Sequence, residues 1–137
     1  MSPMEKDRII ERELAQVKEE LIAFDGFPGS VQRVLRCLHD HLFDESYNVN
    51  AILECSRSPK VNTRAQFKYH VGITIRCYLE ALRMKAAMQL LEHNELEIFT
   101  IAFSIGYASY RTFDRAFRRY VGCSPTEYRA KMSSENV

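Results

Sequence analysis

One short phrase occurs twice in this chain, with an offset of 50 residues. The first copy reads FKYHVG at residues 67–72, and the second reads FRRYVG at residues 117–122. A hydroxyl residue follows each glycine by two positions, and a tyrosine follows it by six. A repeat at a fixed offset is typical of a duplicated supersecondary unit, and a glycine after a helical pattern marks a helix end. Each copy therefore predicts a basic helix that ends at a glycine.

Apolar residues recur at helical spacing along nearly all of the chain, and glycine and proline are scarce between residues 30 and 120. This pattern predicts an all-α fold. The expected helices cover residues 5–24, 31–43, 49–55, 60–70, 74–93, 97–104, 109–121 and 124–131. Ser30 and Ser58 are expected to cap the second and fourth helices, because a serine side chain accepts hydrogen bonds from the free N–H groups at a helix start.

The N-terminal helix carries a single apolar stripe. Its members are Ile10, Leu14, Val17, Leu21 and Phe24. The stripe covers two heptads at most, which is short for a coiled coil. Two interpretations stay open: the helix packs on its own domain, or it contacts a second copy of the chain. The turn-rich residues 25–30 follow it and predict a boundary between parts of the chain.

The net charge of +1 hides an uneven distribution. Residues 1–28 carry 4 Lys/Arg and 7 Asp/Glu, whereas residues 107–131 carry 6 and 2. A basic segment of this kind suits a phosphate-bearing partner, so nucleic-acid binding is the leading hypothesis. No apolar run approaches the roughly 18 residues that span a bilayer, and the N-terminus is charged rather than apolar. A cytoplasmic protein is therefore expected.

Signatures of catalysis and metal binding are missing from the sequence. The cysteines at 37, 55, 77 and 123 are separated by 18, 22 and 46 residues, spacings that fit no metal or redox motif. We expect them to be buried free thiols. His39 and His41 flank Asp40 on a predicted helix, so their side chains cannot converge on one metal ion. The sequence predicts no enzyme, no cofactor and no metal site.

The region around residues 98–121 has the packing pattern of a helix-turn-helix. Ala102 is small where two helices would approach, and Gly106 can adopt the positive φ that a tight turn requires. Phe113 and Phe117 lie four residues apart and should anchor the second helix in the core. The opposite face of that helix presents Tyr110, Arg111, Asp114, Arg115 and Arg118. Arginine can bond guanine or neutralise phosphate. Asp114 either accepts from a cytosine amine or pairs with Arg111 or Arg118.

The same region resembles the C-terminal signature of the AraC/XylS transcription regulators. The matching residues are Ile101-Ala102, Gly106-Tyr107, Phe113, Arg115, Phe117, Gly122, Ser124-Pro125 and Tyr128-Arg129. The resemblance extends back through Tyr78, Arg83, Ala87 and Leu90-Leu91, and it covers about residues 31–131.

The resemblance implies an all-α fold with two helix-turn-helix subdomains joined by a long linker helix. The apolar stripe of residues 5–24 adds an extra N-terminal helix to this fold. The expected divisions are residues 1–29, 30–73, 74–93 and 94–137. The partner implied is double-stranded DNA, read by two recognition helices in successive major-groove segments. Further partners considered are RNA polymerase and, through residues 5–24, a second copy of the chain.

The expected DNA-binding residues lie on the two recognition helices, at about 60–70 and 109–121. The first helix offers Lys60, Val61, Asn62, Arg64, Ala65 and Lys68. The second offers Tyr110, Arg111, Thr112, Asp114 and Arg115, and its exposed face adds Arg118.

The first unit departs from the family pattern in two places. Residues 52–57 contain no glycine for the turn, and Thr63 stands where Phe113 stands in the second copy. These departures and the acidic N-terminal helix keep a second hypothesis open, a protein-interaction module that has lost DNA reading. Only about 30 residues precede the matching region, too few to enclose a small molecule. The chain is expected to be either a stand-alone regulator or a piece of a longer one.

Overall fold

The computed structural model describes residues 2–19 and 26–135, apart from the side chains of residues 60 and 135. Over this part of the chain the regular secondary structure is helical throughout, which confirms the predicted all-α class. The helices are α1 Pro3–Glu19, α2 Gly29–Asp40, α3 Val49–Cys55, α4 Lys60–Val71, α5 Ile75–Leu91, α6 Ile98–Ser104, α7 Tyr110–Val121 and α8 Pro125–Glu135. None of the helices in the described ranges combines the length and apolar character needed to cross a bilayer.

The helix α5 is the centre of the fold, since α1, α4, α6, α7 and α8 all pack against it. Its 17 residues span about 26 Å at 1.5 Å per residue. The hydroxyl of Thr74 caps it by accepting a hydrogen bond from the N–H of Cys77 at 3.1 Å. Apolar residues on several faces of α5 are buried, among them Leu79, Met84 and Leu90. The linker helix is therefore a core element rather than an exposed spacer.

The N-terminal helix α1 docks on this core. Ile10 and Val17 are buried, and α1 packs against α5. The carboxylate of Glu13 lies 3.2 Å from Nε2 of His93, which follows the end of α5. Packing on its own domain is thus observed for the residues of the stripe up to Val17. The expected continuation through residues 20–24 lies outside the described residues.

The offset of 50 residues is a true structural repeat. Gly72 and Gly122 end α4 and α7 with the same φ of +97°, and each donates its N–H to the carbonyl four residues before it. The ring of Phe67 meets Tyr78 with centroids 5.7 Å apart, and Phe117 meets Tyr128 at the same 5.7 Å. Each recognition helix is therefore anchored by an edge-on aromatic pair to the helix that follows it.

Both predicted serine caps are wrong. The N-cap of α2 is Pro28 and that of α4 is Pro59, neither with a side-chain cap. Ser30 lies inside α2, where its hydroxyl donates to Oε1 of Gln66 at 2.7 Å. Ser58 is buried next to Arg33, whose Nη2 donates to the serine Oγ at 3.3 Å. In both cases a proline within two residues of the serine takes the N-cap position, and the serine side chain makes a tertiary contact instead.

Arg83 ties the two halves of the molecule together. It projects from α5 and is 8% exposed. Its Nε donates to the carbonyl of Leu42 at 2.9 Å and its Nη2 to the carbonyl of Asp44 at 3.1 Å. Burial lowers its pKa from the ordinary value. Arg129 of α8 makes equivalent bonds at the end of α5, to the carbonyls of Leu91 and His93, both at 3.0 Å.

Candidate nucleic-acid interface

The second unit, α6 and α7, has the geometry of a helix-turn-helix. Gly106 turns the chain with φ +102°, and the N–H of Tyr107 donates to the carbonyl of Ala102 at 3.2 Å. The hydroxyl of Ser109 caps α7 by accepting from the N–H of Thr112 at 3.2 Å. Phe113 and Phe117 are fully buried, which confirms that they anchor α7. The anchoring turns the opposite face of α7 towards solvent.

Gly106 is needed for space as well as for conformation. A Cβ at this position would lie 2.9 Å from Cζ of Arg83 and 3.0 Å from its Nη2. The same guanidinium lies over the ring of Tyr107, with Cζ 5.7 Å from the ring centroid. The turn of the second unit is thus packed directly on the arginine that holds the first unit to the linker helix.

Most of the candidate side chains on α7 are available to a ligand. Arg111, Thr112, Arg115 and Arg118 are exposed, whereas Tyr110 and Asp114 are half-buried. The Nε of Arg118 donates to Oδ2 of Asp114 at 3.0 Å. This confirms that Asp114 pairs within the helix, with Arg118 as its partner.

Tyr110 is partly committed to packing. Its ring centroid lies 4.7 Å from that of Phe99 on α6 and 6.1 Å from that of Phe113. Phe99 itself is 58% exposed. Tyr110 therefore forms the rim between the core and the exposed face of α7.

The first recognition helix, α4, presents a similar face. Val61 is 81% exposed, and Asn62, Arg64, Ala65 and Lys68 are also exposed. The side chain of Lys60 lies outside the described part of the chain. Nη2 of Arg64 donates to Oδ1 of Asn50, at the start of α3, at 3.2 Å.

The missing turn glycine does not prevent the first unit from forming. Residues 56–59 connect α3 to α4, one residue fewer than the 105–109 connection in the second unit. Arg57, two residues after the end of α3, adopts φ +53°, and Gly106 holds the corresponding place after α6. Of the residues that the structure describes, Arg57 is the one non-glycine residue with a positive φ. Thr63 is 1% exposed and fills the position that Phe113 fills in the second unit.

A cleft of about 450 Å³ separates the two recognition helices, and we refer to it as the central cleft. Arg64 of α4 lines one side, Thr112 and Arg115 of α7 line the other, and Arg76 and Glu80 of α5 lie between them. Three of the candidate DNA-binding residues, one from the first helix and two from the second, therefore open into the same space. The structure brings these three together, while the other candidates whose side chains it describes do not line this cleft.

Several residues of this region were not singled out from the sequence as site residues. Arg119 of α7 lines the central cleft and donates from Nη2 to Oε1 of Glu80 at 2.6 Å. Arg76 and Glu80 lie on the linker helix, for which the sequence predicted no DNA contact. The sequence does indicate a buried position for Arg83, because it falls four residues after Leu79 on the buried stripe of α5.

The prediction of four buried cysteines is wrong. Cys55 and Cys77 are exposed, and Cys37 and Cys123 are half-buried. The Sγ atoms of Cys37 and Cys55, 18 residues apart in sequence, lie 2.6 Å from each other as free thiols. Burial raises the pKa of Cys37 to about 12, with a further contribution from Cys55. The sequence spacing could not reveal this pair, because α2 and α3 are brought together only by the fold.

The similarity of this chain to known proteins agrees with this geometry. A family model described as a helix-turn-helix domain matches residues 60–131. The chain is 35% identical over 99 residues to the HTH-type transcriptional activator RhaS of Escherichia fergusonii, a match that covers 72% of this chain and 35% of RhaS. It is 28% identical over 102 residues to the regulatory protein SoxS of Escherichia coli K12, covering 74% of this chain and 94% of SoxS.

A solved structure has the same fold. The C-terminal domain of AraT, a response regulator from Geobacillus stearothermophilus, matches with a TM-score of 0.73 and 27% identity, over 78% of this chain and 88% of that chain. The chain spans about a third of the length of RhaS and nearly all of SoxS. Both of these relatives are named as regulators rather than enzymes. The signature residues, the paired helix-turn-helix units and these matches together show that the chain belongs to the AraC/XylS family of transcription regulators.

Proposed function

We propose that this chain binds a specific sequence in double-stranded DNA and regulates transcription from it. The observation that carries the proposal is that α4 and α7, each anchored by a buried phenylalanine, turn exposed polar faces to the two sides of one basic cleft. A recognition helix in a helix-turn-helix reads base edges in the major groove. Two such helices on one rigid core are suited to reading two groove segments of the same duplex.

Both recognition helices border the first half of α5. Arg64 of α4 lines the central cleft together with Arg76 of α5, and Arg119 of α7 is bonded to Glu80 of α5. The linker helix and the cleft thus hold the two recognition helices apart, and we propose that they enter successive major-groove segments of one duplex.

The chemistry of each exposed side chain suggests which part of the DNA it contacts. On α7, Arg111 and Arg115 are exposed and suited to guanine, and Arg118, held by Asp114, is suited to phosphate. On α4, Asn62 is suited to adenine, and Val61 and Ala65 to thymine methyl groups. Lys60, Arg64 and Lys68 are proposed as phosphate or base contacts of the first unit. Tyr110 and Thr112 complete the second.

Residues 30–73 and 94–137 are proposed to act as the two reading subdomains, with residues 74–93 as the linker and residues 1–29 as an added N-terminal element. No catalytic step is proposed for any of these parts.

The first experiment is selection of bound sequences from a random DNA pool by the full chain, at a stated salt concentration. Arg111→Ala and Arg115→Ala should then each weaken binding to the selected sequence by about 1–3 kcal/mol. Arg12→Ala, an exposed arginine on α1, is the matched control and should leave the affinity unchanged. Unchanged affinity for both α7 variants would reject the assignment. An absence of DNA binding at low salt would favour a protein-interaction module instead.

Contact with RNA polymerase is proposed as a second step, since RhaS is named as a transcriptional activator. Transcription from a promoter that carries the selected site would test this contact. If the chain occupies the site without changing the transcript level, activation through polymerase is rejected.

Self-association through residues 5–24 is the weaker of the proposed interactions. Ile10 and Val17 are buried in the chain's own domain and are not available to a second copy. Met4 is 68% exposed and could extend such a contact. Sedimentation of the full chain over a range of concentrations would decide, and a single species of 16.0 kDa would reject a dimer.

A further inference from the structure

The central cleft is strongly basic. Among its lining residues are Arg64, Arg76, Arg115 and Arg119, whereas Glu80 is the acidic member of the lining. Its volume of about 450 Å³ can admit a phosphate group together with part of the sugar chain on either side of it. The cleft therefore has the size and the sign of charge that a nucleic-acid backbone requires.

The charges in the cleft are not all available. Arg83, which also reaches the lining, is bonded to the carbonyls of Leu42 and Asp44. Glu80 is paired with Arg119 at 2.6 Å, so these two side chains largely cancel. Arg76 and Arg115, by contrast, are exposed and make no ion pair with any residue in the described ranges. Among these residues Arg64 likewise bonds only the neutral amide of Asn50, so the uncompensated positive charge lies on α4, on the linker helix and on α7.

The position of the cleft determines which part of the DNA would meet it. If α4 and α7 occupy successive major-groove segments on one side of the duplex, a minor groove and its two phosphate strands lie between them. Since the cleft also lies between α4 and α7, this intervening backbone must pass over Arg76. Each phosphate in that stretch carries a negative charge that a nearby arginine can neutralise.

We propose that the central cleft is a phosphate-binding site for the DNA backbone between the two reading positions, and that Arg76 of the linker helix is its main contact. This inference rests on the proposed DNA-binding function and adds a third point of contact to the two recognition helices. In this arrangement α5 is part of the DNA-binding surface as well as a spacer.

The test uses the full chain and a duplex carrying the selected sequence, with single phosphates replaced by uncharged methylphosphonates. In the wild-type protein, replacement at one or two positions between the two half-sites should weaken binding about twofold to fivefold, the size expected for a partly exposed ion pair. Arg76→Ala should bind less tightly by a similar factor and should lose its sensitivity to those same replacements. Its dependence of log K on log salt should also be shallower by about 0.9.

Arg12→Ala is the matched control and should keep both the methylphosphonate profile and the salt slope of the wild type. Circular dichroism would verify that Arg76→Ala is folded. The methylphosphonate profile of the wild-type protein tests the proposal even if this variant does not fold. The proposal is overturned if wild-type protein binds the sequence tightly but no phosphate between the half-sites matters. That outcome would leave the proposed function intact. If the wild type binds no DNA, both proposals fail.

A free phosphate compound is the other source of the same chemistry. Calorimetry of the DNA-free protein with pyrophosphate should show no tight binding. Tight binding that Arg76→Ala abolishes, together with no effect of the methylphosphonates between the half-sites, would mean that the cleft serves a small phosphate ligand and that the assignment to the DNA backbone is wrong.

Discussion

Arg83 lies so close to Gly106 that a Cβ on the glycine would be 2.9 Å from Cζ of the arginine. The same arginine donates to the carbonyls of Leu42 and Asp44, in the loop that follows α2 in the first unit. One buried guanidinium therefore contacts the loop of one unit and the turn of the other. We infer that this contact sets the spacing between the two recognition helices.

The contact predicts that Gly106→Ala destabilises the protein more than the same substitution at a glycine with free space around it. Gly122→Ala is the matched control, because Gly122 has φ +97° against +102° for Gly106 but has no atom within 4 Å of an added Cβ. The backbone cost of about 1–2 kcal/mol should be common to both variants. The free energy of unfolding of Gly106→Ala should fall by at least about 1 kcal/mol more than that of Gly122→Ala, because the added methyl group must displace the guanidinium of Arg83. Urea unfolding measures both, and equal losses would show that the guanidinium moves without cost.

The turn of the first unit predicts a stabilising substitution. Arg57 holds φ +53°, where a residue with a Cβ is disfavoured by about 1–2 kcal/mol. Arg57→Gly removes that cost but adds chain entropy to the unfolded state, so a net gain of about 0.5–1 kcal/mol is expected. Arg57→Ala keeps a Cβ and should show no gain. A glycine variant that unfolds at a lower urea concentration than the alanine variant would contradict this reading of the turn.

His39 predicts a loss of stability in mild acid. Its Nδ1 lies 3.2 Å from the carbonyl of Lys18, so it donates there, and Nε2 accepts from the hydroxyl of Tyr78 at 2.6 Å. Burial lowers the pKa of His39 from its ordinary value of 6.5, although the carbonyl of Lys18 and the charge of Asp40 oppose the shift. The unfolded chain therefore binds the proton more readily, and stability should fall as the pH drops below about 6.5.

The measurement is the melting temperature between pH 7.5 and pH 5. His39→Gln can keep a bond to Tyr78 but does not titrate, so its melting temperature should fall less over this range. Parallel curves for the two proteins would show that another group causes the acid sensitivity.

The pair of Glu80 and Arg119 predicts a gain in DNA affinity on neutralisation. Glu80→Gln removes a negative charge from the central cleft and releases the guanidinium of Arg119. Binding to DNA of any sequence should tighten about twofold to fivefold, and the gain should shrink at high salt. Glu11→Gln on α1 is the control for net charge. Weaker binding by Glu80→Gln, with Glu11→Gln unchanged, would mean that Glu80 positions Arg119 for its contact.

The features that the sequence predicts correctly depend on residues close together in the chain. The recurring phrase located both glycine helix ends, and Phe67 and Phe117 are buried at equivalent places because helix spacing alone puts them on the inner face. Arg83 shows the limit of such signals, since its carbonyl partners are 36 to 41 residues away. The serine caps failed for a related reason: Ser30 finds a partner in Gln66, which only the folded chain brings near.

The most direct test of the claim that both recognition helices read DNA is hydroxyl-radical footprinting of the full chain on its selected DNA site. We expect two protected regions on one side of the duplex, about 10 base pairs from centre to centre. Arg115→Ala should weaken protection at one region first, and Asn62→Ala at the other. A single protected region, unaffected by Asn62→Ala, would contradict the proposal that both recognition helices read DNA.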